Sequence, residues 1–178
     1  IGKSDLGARL LACADTAEAQ SIAEHLDSLN SERREIEQQV QNAALQQVES
    51  RGFDAPLVWA AGHGWHPGVV GIVAARIKEI TNRPTVIIGI ENGQGKGSGR
   101  SVTGIDLGAA IATCTREGLL AKGGGHKMAA GLTVHADKLD AAMARLSDLL
   151  GKQGAGDIGP KDLMLDGSVM PGGVTTDL

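Results

Sequence analysis

The sequence predicts an α/β domain in which a mixed, partly parallel sheet is flanked by helices and preceded by a long connector helix. Apolar residues recur at alternating spacings of three and four from Ala19 to Ala43, which is typical of one helix face. Farther along, an apolar strand, an amphipathic helix and a second apolar strand follow one another between Leu57 and Ile90, the order of a parallel crossover unit. With 42% hydrophobic residues, the 178-residue chain can bury one sizeable core.

The first predicted elements are helices. Residues 5–13 form a short helical stretch, and a much longer helix follows, with Asp15 or Thr16 as its N-cap and Glu18 completing a capping box. Extended to about Ser50, this helix would be about 50 Å long. That length suits a spacer between two lobes, and a coiled-coil dimer is the alternative. Its apolar face is predicted to comprise Ala19, Ile22, Leu26, Leu29, Ile36, Val40 and Ala43, with Arg33 in one apolar slot.

The next segment predicts the crossover unit. Residues 56–61 and 85–90 are apolar enough for buried strands, and Pro67 favours a helix that starts near Gly68 and ends near Thr81. The glycine-rich run 95–100 is expected to be a loop after the second strand, and a third strand is expected to start or continue at residues 100–103. Because ligands bind at the carboxyl ends of parallel strands, we expect this loop and the loop around Trp65 to lie at one edge of the sheet.

The remaining elements are shorter. Asp106 predicts the N-cap of a helix that ends near Thr115, and the triple glycine 123–125 reads as a tight turn. A strand over 131–135 and an amphipathic helix over 138–150 follow. Residues 151–159 are a glycine-rich linker, and residues 163–169 predict a further strand with the start of a hairpin.

Composition limits the possible functions. A net charge of −4 argues against a surface that coats nucleic acid generally, since such domains are commonly basic. Aromatic content of 2%, from Phe53, Trp59 and Trp65, leaves little material for stacking bases, so phosphate contacts should dominate. No signal peptide is expected, and the sequence has no apolar run near the ~20 residues of a membrane span. Cys13 and Cys114 are expected to be free thiols in a reducing cytoplasm.

Two glycine-rich runs are candidate anion sites. Bare backbone amides at residues 123–125, next to His126 and Lys127, could form a phosphate pocket, although this run taken on its own favours a plain tight turn. The other run comprises Ser98, Gly99, Arg100 and Ser101. It places an arginine between two serines, and the planar guanidinium of arginine suits a phosphate. Neither run matches a Walker loop or a dinucleotide-binding fingerprint. The pair His63 and His66 lacks further metal ligands nearby.

Three segments, residues 64–76, 98–101 and 124–131, together resemble the RecJ single-strand-specific DNA exonucleases of the DHH phosphoesterase superfamily. The resemblance runs from Ile1 to about Val134 and covers the DHH-associated C-terminal domain and the connector before it. It implies four parts: the end of a missing catalytic lobe (1–14), the connector helix (15–52), a substrate-binding domain (53–151), and a linker with the start of a truncated oligonucleotide-binding barrel (152–178). The chain lacks an initiator methionine and is expected to be a fragment.

The resemblance implies the phosphate-backbone-binding domain of a cytoplasmic, single-stranded-DNA-specific 5′–3′ exonuclease in DNA repair and recombination. The missing lobe would hold two Mn²⁺ or Mg²⁺ ions, so no cofactor and no activity are expected in this chain alone. We expect a monomer without membrane contact, with a helicase or a single-strand-binding protein as further partners of the intact enzyme. The implied phosphate-binding residues are Ser98, Gly99, Arg100, Ser101, Gly123, Gly124, Gly125 and His126, the last also in a supporting catalytic role; secondary candidates are Trp65, His66, Lys96, Lys122 and Lys127.

Other functions stay open at this point. The same domain type implies, as one alternative, a DHH-family phosphoesterase that acts on short oligoribonucleotides or cyclic dinucleotides. It also occurs as an appendage of alanyl-tRNA synthetases. A non-enzymatic interaction module is the third alternative.

Overall fold

The computed structural model describes residues 5–157 together with residues 159 and 167. It begins with helix α1 (Leu6–Ala12) and continues with helix α2 (Thr16–Arg51). Asp15 is the N-cap of α2, and its carboxylate accepts a hydrogen bond from the Glu18 amide at 2.9 Å, as predicted. The predicted strand over 163–169 and the barrel beyond it lie outside the described residues.

The buried face of α2 differs from the predicted one. Ile22 and Val40 are buried as expected, but Ala44 replaces Ala43, and Glu37 and Val48 join the face. The other predicted positions, Ala19, Leu26, Leu29 and Ile36, are only half-buried. The reason is that the second half of α2 packs on the domain, whereas the first half packs against α1.

A five-stranded mixed sheet follows α2, in the order β1-β2-β3-β5-β4. Strands β1 and β2 are parallel and are joined by helix α3, which confirms the crossover unit; all other pairs are antiparallel. The bounds are β1 Val58–His63, α3 Pro67–Thr81, β2 Thr85–Glu91, β3 Gln94–Arg100, α4 Leu107–Arg116, β4 Lys122–Gly125, β5 Ala129–His135 and α5 Leu139–Gly151, with short 3-10 turns at Ala136–Lys138 and Ala155–Asp157.

The sheet is covered unequally on its two faces. Helices α4 and α5 pack on one face, around buried side chains such as Ile88, Leu107 and Leu146. Helices α2 and α3 pack on the other face, around Val73 and Ile87. On this second face α3 reaches only as far as β3. Among the described residues no helix covers β5 and β4 there, so half of the sheet is left open.

The glycine run 95–100 is a strand and not the predicted loop, and this third strand ends at Arg100 without extending over residues 101–103. Asn92 and Gly93 have φ angles of 50° and 75° and make the two-residue turn that folds β3 back onto β2. A Cβ atom at Gly97 would come within 2.9 Å of Ile88, and one at Gly99 within 2.7 Å of Leu107. The glycines therefore make room for large core side chains.

The triple glycine is also a strand, because residues 122–125 pair with β5 along the edge of the sheet. The His126 amide donates to Ala129 O at 2.8 Å, and in an antiparallel pair every second residue along the strand forms such hydrogen bonds to the partner strand. By that alternation the Gly124 amide faces β5, while the Gly123 and Gly125 amides face away from it. The predicted convergence of three amides on one anion is therefore wrong, since successive amides of a strand point in opposite directions.

The other edge of the sheet, at β1, is closed by side chains of α2. The Gln47 side-chain amide donates to Ala61 O at 2.9 Å and accepts from the Ala61 amide at 3.2 Å. Arg51 donates to Trp59 O at 2.7 Å and lies 4.0 Å above the Trp59 ring. These contacts satisfy backbone groups of β1 and fix the end of the connector helix against the sheet.

Candidate nucleic-acid interface

The uncovered strands β4 and β5, together with the neighbouring strand β3, bring predicted residues together on one face of the sheet. Side chains alternate between faces along a strand, and the pairing register aligns the residues that share the open face in two rows. We call this surface the open platform; its residues are Lys96, Thr133 and Lys122 in one row and Ser98, Gly131 and Gly124 in the next, with Arg100 beyond them on β3.

Two adjacent glycines form the floor of the open platform. No atom lies within 4 Å of the position that a Cβ atom would take at Gly124, and for Gly131 the nearest is Gly97 O at 3.9 Å. A shallow groove of about 510 Å³ passes over these glycines between the exposed side chains of Lys96 and Lys122. Neither lysine forms an ion pair with a residue of the described range. The backbone is thus accessible to a ligand that the lysines would attract.

Arg100 stands where the open platform meets helix α3. Its Nη1 donates to Ser98 Oγ and to Gly99 O, each at 2.9 Å, which holds the guanidinium in place. A Cβ atom at Gly71 of α3 would lie 3.1 Å from both Arg100 Nη2 and Ser98 Oγ. Gly71 therefore keeps the helix from displacing this pair. Arg100 and Ser98 are together, as the sequence predicts, and their remaining donors suit a phosphate.

Two residues of the same predicted motif point elsewhere. Ser101 is 1% exposed, and its hydroxyl donates to Ile105 O at 2.9 Å, so it fixes the turn before α4. Gly99 is buried in a strand paired on both sides, so its amide belongs to the sheet. Their positions do not support the prediction that they contact phosphate directly.

The hairpin between β4 and β5 carries His126 and Lys127, both exposed. Gly125, with φ of 155°, is required here because a Cβ atom would come within 2.5 Å of Ala129 O. Lys127 O accepts a hydrogen bond from the Leu107 amide at 3.1 Å, which anchors the hairpin to α4. His126 follows directly after the last residue of β4, which is the platform's outer strand.

Trp65 and His66 lie at the opposite end of the sheet from Arg100. Arg100 pairs with Thr85 at the start of β2, whereas Lys96 pairs with Gly89 near its end. The prediction that the Trp65 loop and Arg100 share one sheet edge is therefore wrong, because β3 runs back along β2. His66 is the N-cap of α3, and its Nδ1 accepts a hydrogen bond from the Gly68 amide at 3.0 Å.

A pocket of about 240 Å³ opens beside the Trp65 loop. The Trp65 ring covers Gly62, where a Cβ atom would overlap the ring. Lys96 lines both this pocket and the groove of the open platform. Three residues of the pocket wall were not predicted from the sequence: Glu91, Asn92 and Gln94. The Asn92-Gly93 pair is a hairpin signal that could have indicated them.

The groups with shifted pKa values lie on or directly after helices α4 and α5, which pack on the face of the sheet opposite to the open platform. A hydrogen bond from Arg145 lowers the pKa of Glu117, one from Lys152 lowers that of Asp148, and burial raises that of the Cys114 thiol. Within residues 5–157 no group of three or more His, Cys, Asp or Glu side chains is placed to hold a metal ion. No helix in the described part of the chain is both long and apolar enough to cross a membrane.

Comparison with known proteins agrees with this architecture. Residues 54–152 match the DHHA1 domain family. The single-stranded-DNA-specific exonuclease RecJ of Dickeya dadantii is 46% identical over 156 residues, covering 83% of this chain and 27% of that protein. RecJ of Escherichia coli is 36% identical over 180 residues, covering 97% of this chain and 31% of that protein. The chain therefore spans less than a third of the length of these relatives.

The crystal structure of Thermus thermophilus RecJ in complex with Mn²⁺ matches with a TM-score of 0.74 at 34% identity, over 83% of this chain and 22% of that one. The same protein in complex with Mg²⁺ matches equally well. Its fold agrees with the mixed sheet, the flanking helices and the long N-terminal helix described above. The chain belongs to the DHHA1 domain family and is similar over most of its length to the RecJ single-stranded-DNA-specific exonucleases.

Proposed function

We propose that this chain is the domain that binds the DNA backbone in a cytoplasmic, metal-dependent 5′–3′ exonuclease that degrades single-stranded DNA in repair and recombination. One observation carries the proposal: the exposed Lys96 and Lys122 line a groove whose glycine floor lies on β4 and β5, which no described helix covers, and Arg100 lies at the end of the adjacent strand β3. Positive side chains around bare backbone suit a sugar-phosphate chain, and phosphate contacts tolerate any base sequence.

The residues of the open platform would bind and orient the strand. Lys96 and Lys122 attract phosphates to the groove from both sides, and the floor at Gly124 and Gly131 admits them close to the backbone. Arg100, held by Ser98, presents its remaining donors to the next phosphate. His126 donates to a phosphate at the end of the groove, close to the bond to be cleaved.

The bond cleavage itself requires groups from another part of the enzyme. RecJ relatives are solved with Mn²⁺ or Mg²⁺, and the described residues of this chain include no cluster that fits such ions. We therefore assign no chemical step to this chain. The 178-residue chain alone is expected to bind single-stranded DNA without degrading it in the presence of Mn²⁺.

Fluorescence anisotropy with a labelled, 5′-phosphorylated single-stranded oligonucleotide tests the proposal. Arg100→Ala and His126→Ala should each weaken binding about tenfold, since a hydrogen bond to a charged group is worth about 1.5–3 kcal/mol. Arg34→Ala, an exposed arginine on α2, is the matched control and should bind like the parent. Equal binding by all variants would favour an interaction module. Tighter binding of a dinucleotide than of a long strand would favour a phosphoesterase of short oligonucleotides.

A further inference from the structure

We propose that the pocket beside the Trp65 loop receives one uncharged nucleobase of the strand whose phosphates lie on the open platform. The proposal rests on the proposed function and adds a second kind of subsite to it. Its geometrical basis is Lys96, which lines both the pocket and the groove. A nucleotide whose phosphate contacts Lys96 therefore has the pocket within reach of its own or its neighbour's base.

The pocket is poorly suited to a phosphate, although it lies at a helix N-terminus. Pro67 has no N–H, the Gly68 amide is bonded to His66 Nδ1, and the Val69 amide is bonded to His66 O at 3.0 Å. These three residues of the first turn of α3 thus have no free amide to offer an anion. The carboxylate of Glu91 in the wall would repel a phosphate.

The same wall suits a planar ring with polar edges. Trp65, Pro67 and Ile90 supply apolar surface, and the Trp65 ring is held in place by its contact with Gly62. Glu91 accepts hydrogen bonds from ring or amino N–H groups, and the Gln94 amide both donates and accepts. At about 240 Å³ the pocket is smaller than the ~300 Å³ at which sites for drug-sized ligands begin, so it takes a single base.

The test compares two oligonucleotides of equal length and phosphate number, one with bases and one abasic throughout, in anisotropy titrations with the 178-residue chain. The parent should bind the base-bearing strand about tenfold more tightly, the size expected for one buried base contact. Gln94→Ala and Glu91→Gln should each reduce this preference about threefold or more. Lys122→Ala should weaken both strands by the same factor, and the exposed Glu35→Gln on α2 should change neither.

Three results would overturn the inference in different ways. A parent that binds both strands equally would refute the base pocket and leave the proposed function intact. If Glu91→Gln binds both oligonucleotides more tightly and the ratio of their two Kd values stays unchanged, the pocket receives a phosphate and not a base. A parent that binds neither strand would refute both proposals. Gln94 and Glu91 are exposed, so circular dichroism and thermal melting should show parent-like folding of both variants.

Discussion

Replacing both floor glycines, Gly124 and Gly131, by alanine would place two methyl groups on the open platform without straining the chain. Both residues lie in strands, neither has a positive φ angle, and the space above each is empty to at least 3.9 Å. Glycine in a strand interior costs roughly 0.5–1 kcal/mol relative to alanine, so the double variant should be about 1–2 kcal/mol more stable than the parent. A loss of binding in this variant could not be attributed to unfolding.

The expected loss follows from distance. Each added methyl carbon stands about 1.5 Å above the backbone, so a phosphate on the floor must move outward by about that much. At an effective dielectric constant of about 20, moving a charge pair from about 4 Å to about 5.5 Å weakens its attraction by about 1 kcal/mol. For Lys96 and Lys122 together this gives about 2 kcal/mol, or roughly 30-fold in Kd.

The assay is oligonucleotide anisotropy combined with a urea melt of each protein. The control is Gly7→Ala on α1, where an added Cβ atom also meets open space but lies outside the open platform. The control should bind like the parent. A double variant that is at least as stable as the parent and binds single-stranded DNA with an unchanged Kd would refute the contact between strand and floor.

Three further predictions test other parts of the structure. Lys122→Ala should reduce the slope of log Kd against log salt concentration by about 0.7, the value for one phosphate on a single strand, in titrations from low to moderate salt. Gln47→Leu should lower the free energy of unfolding in urea by about 1–3 kcal/mol, because it leaves the Ala61 N–H and C=O groups without partners; an unchanged value would contradict the edge contact. Arg145 lowers the pKa of Glu117 in the folded state, so this pair stabilises the fold at neutral pH, and the contribution is lost as the pH falls through the folded-state pKa. In thermal melts the difference in stability between the parent and Arg145→Ala should therefore decrease in acid. A difference that increases in acid would contradict this sign.

The elements with a clear hydrophobic period were predictable from the sequence. The crossover unit was recognisable because an apolar strand, a helix with a proline at its first position and a second strand rich in β-branched residues follow one another along the chain. Asp15 was recognisable as a cap because its spacing from Glu18 matches a capping box. Each of these signals comes from residues that are close together in the sequence, so it can be recognised without knowledge of the tertiary structure.

The glycine-rich strands were not predictable from local chemistry. Glycine disfavours strands in general, yet Gly97 is required in β3 because Ile88 and Leu132 occupy the space of its Cβ atom. That requirement arises from packing between distant residues. The Asn92-Gly93 turn was the one local signal that could have corrected the prediction of a loop.

The site was predicted in part for the same reason. Motif resemblance gave Ser98 and Arg100, which the structure places together, and the lysines at 96 and 122, which lie on either side of the floor. It could not show that Ser101 is buried, because burial depends on tertiary contacts such as the hydrogen bond from the Ser101 amide to Met128 O in the distant β4–β5 hairpin. Nor could it show Glu91 beside Lys96, which depends on strand pairing.

The most direct test of the central claim is an NMR titration of the chain with a single-stranded oligonucleotide, following backbone amide shifts. The account predicts that the shifts concentrate on the open platform, at Lys96, Lys122, Gly124, Gly131 and Thr133, and that they are independent of base sequence. Shifts confined to α4 and α5 on the opposite face, or no shifts at saturating DNA, would contradict it.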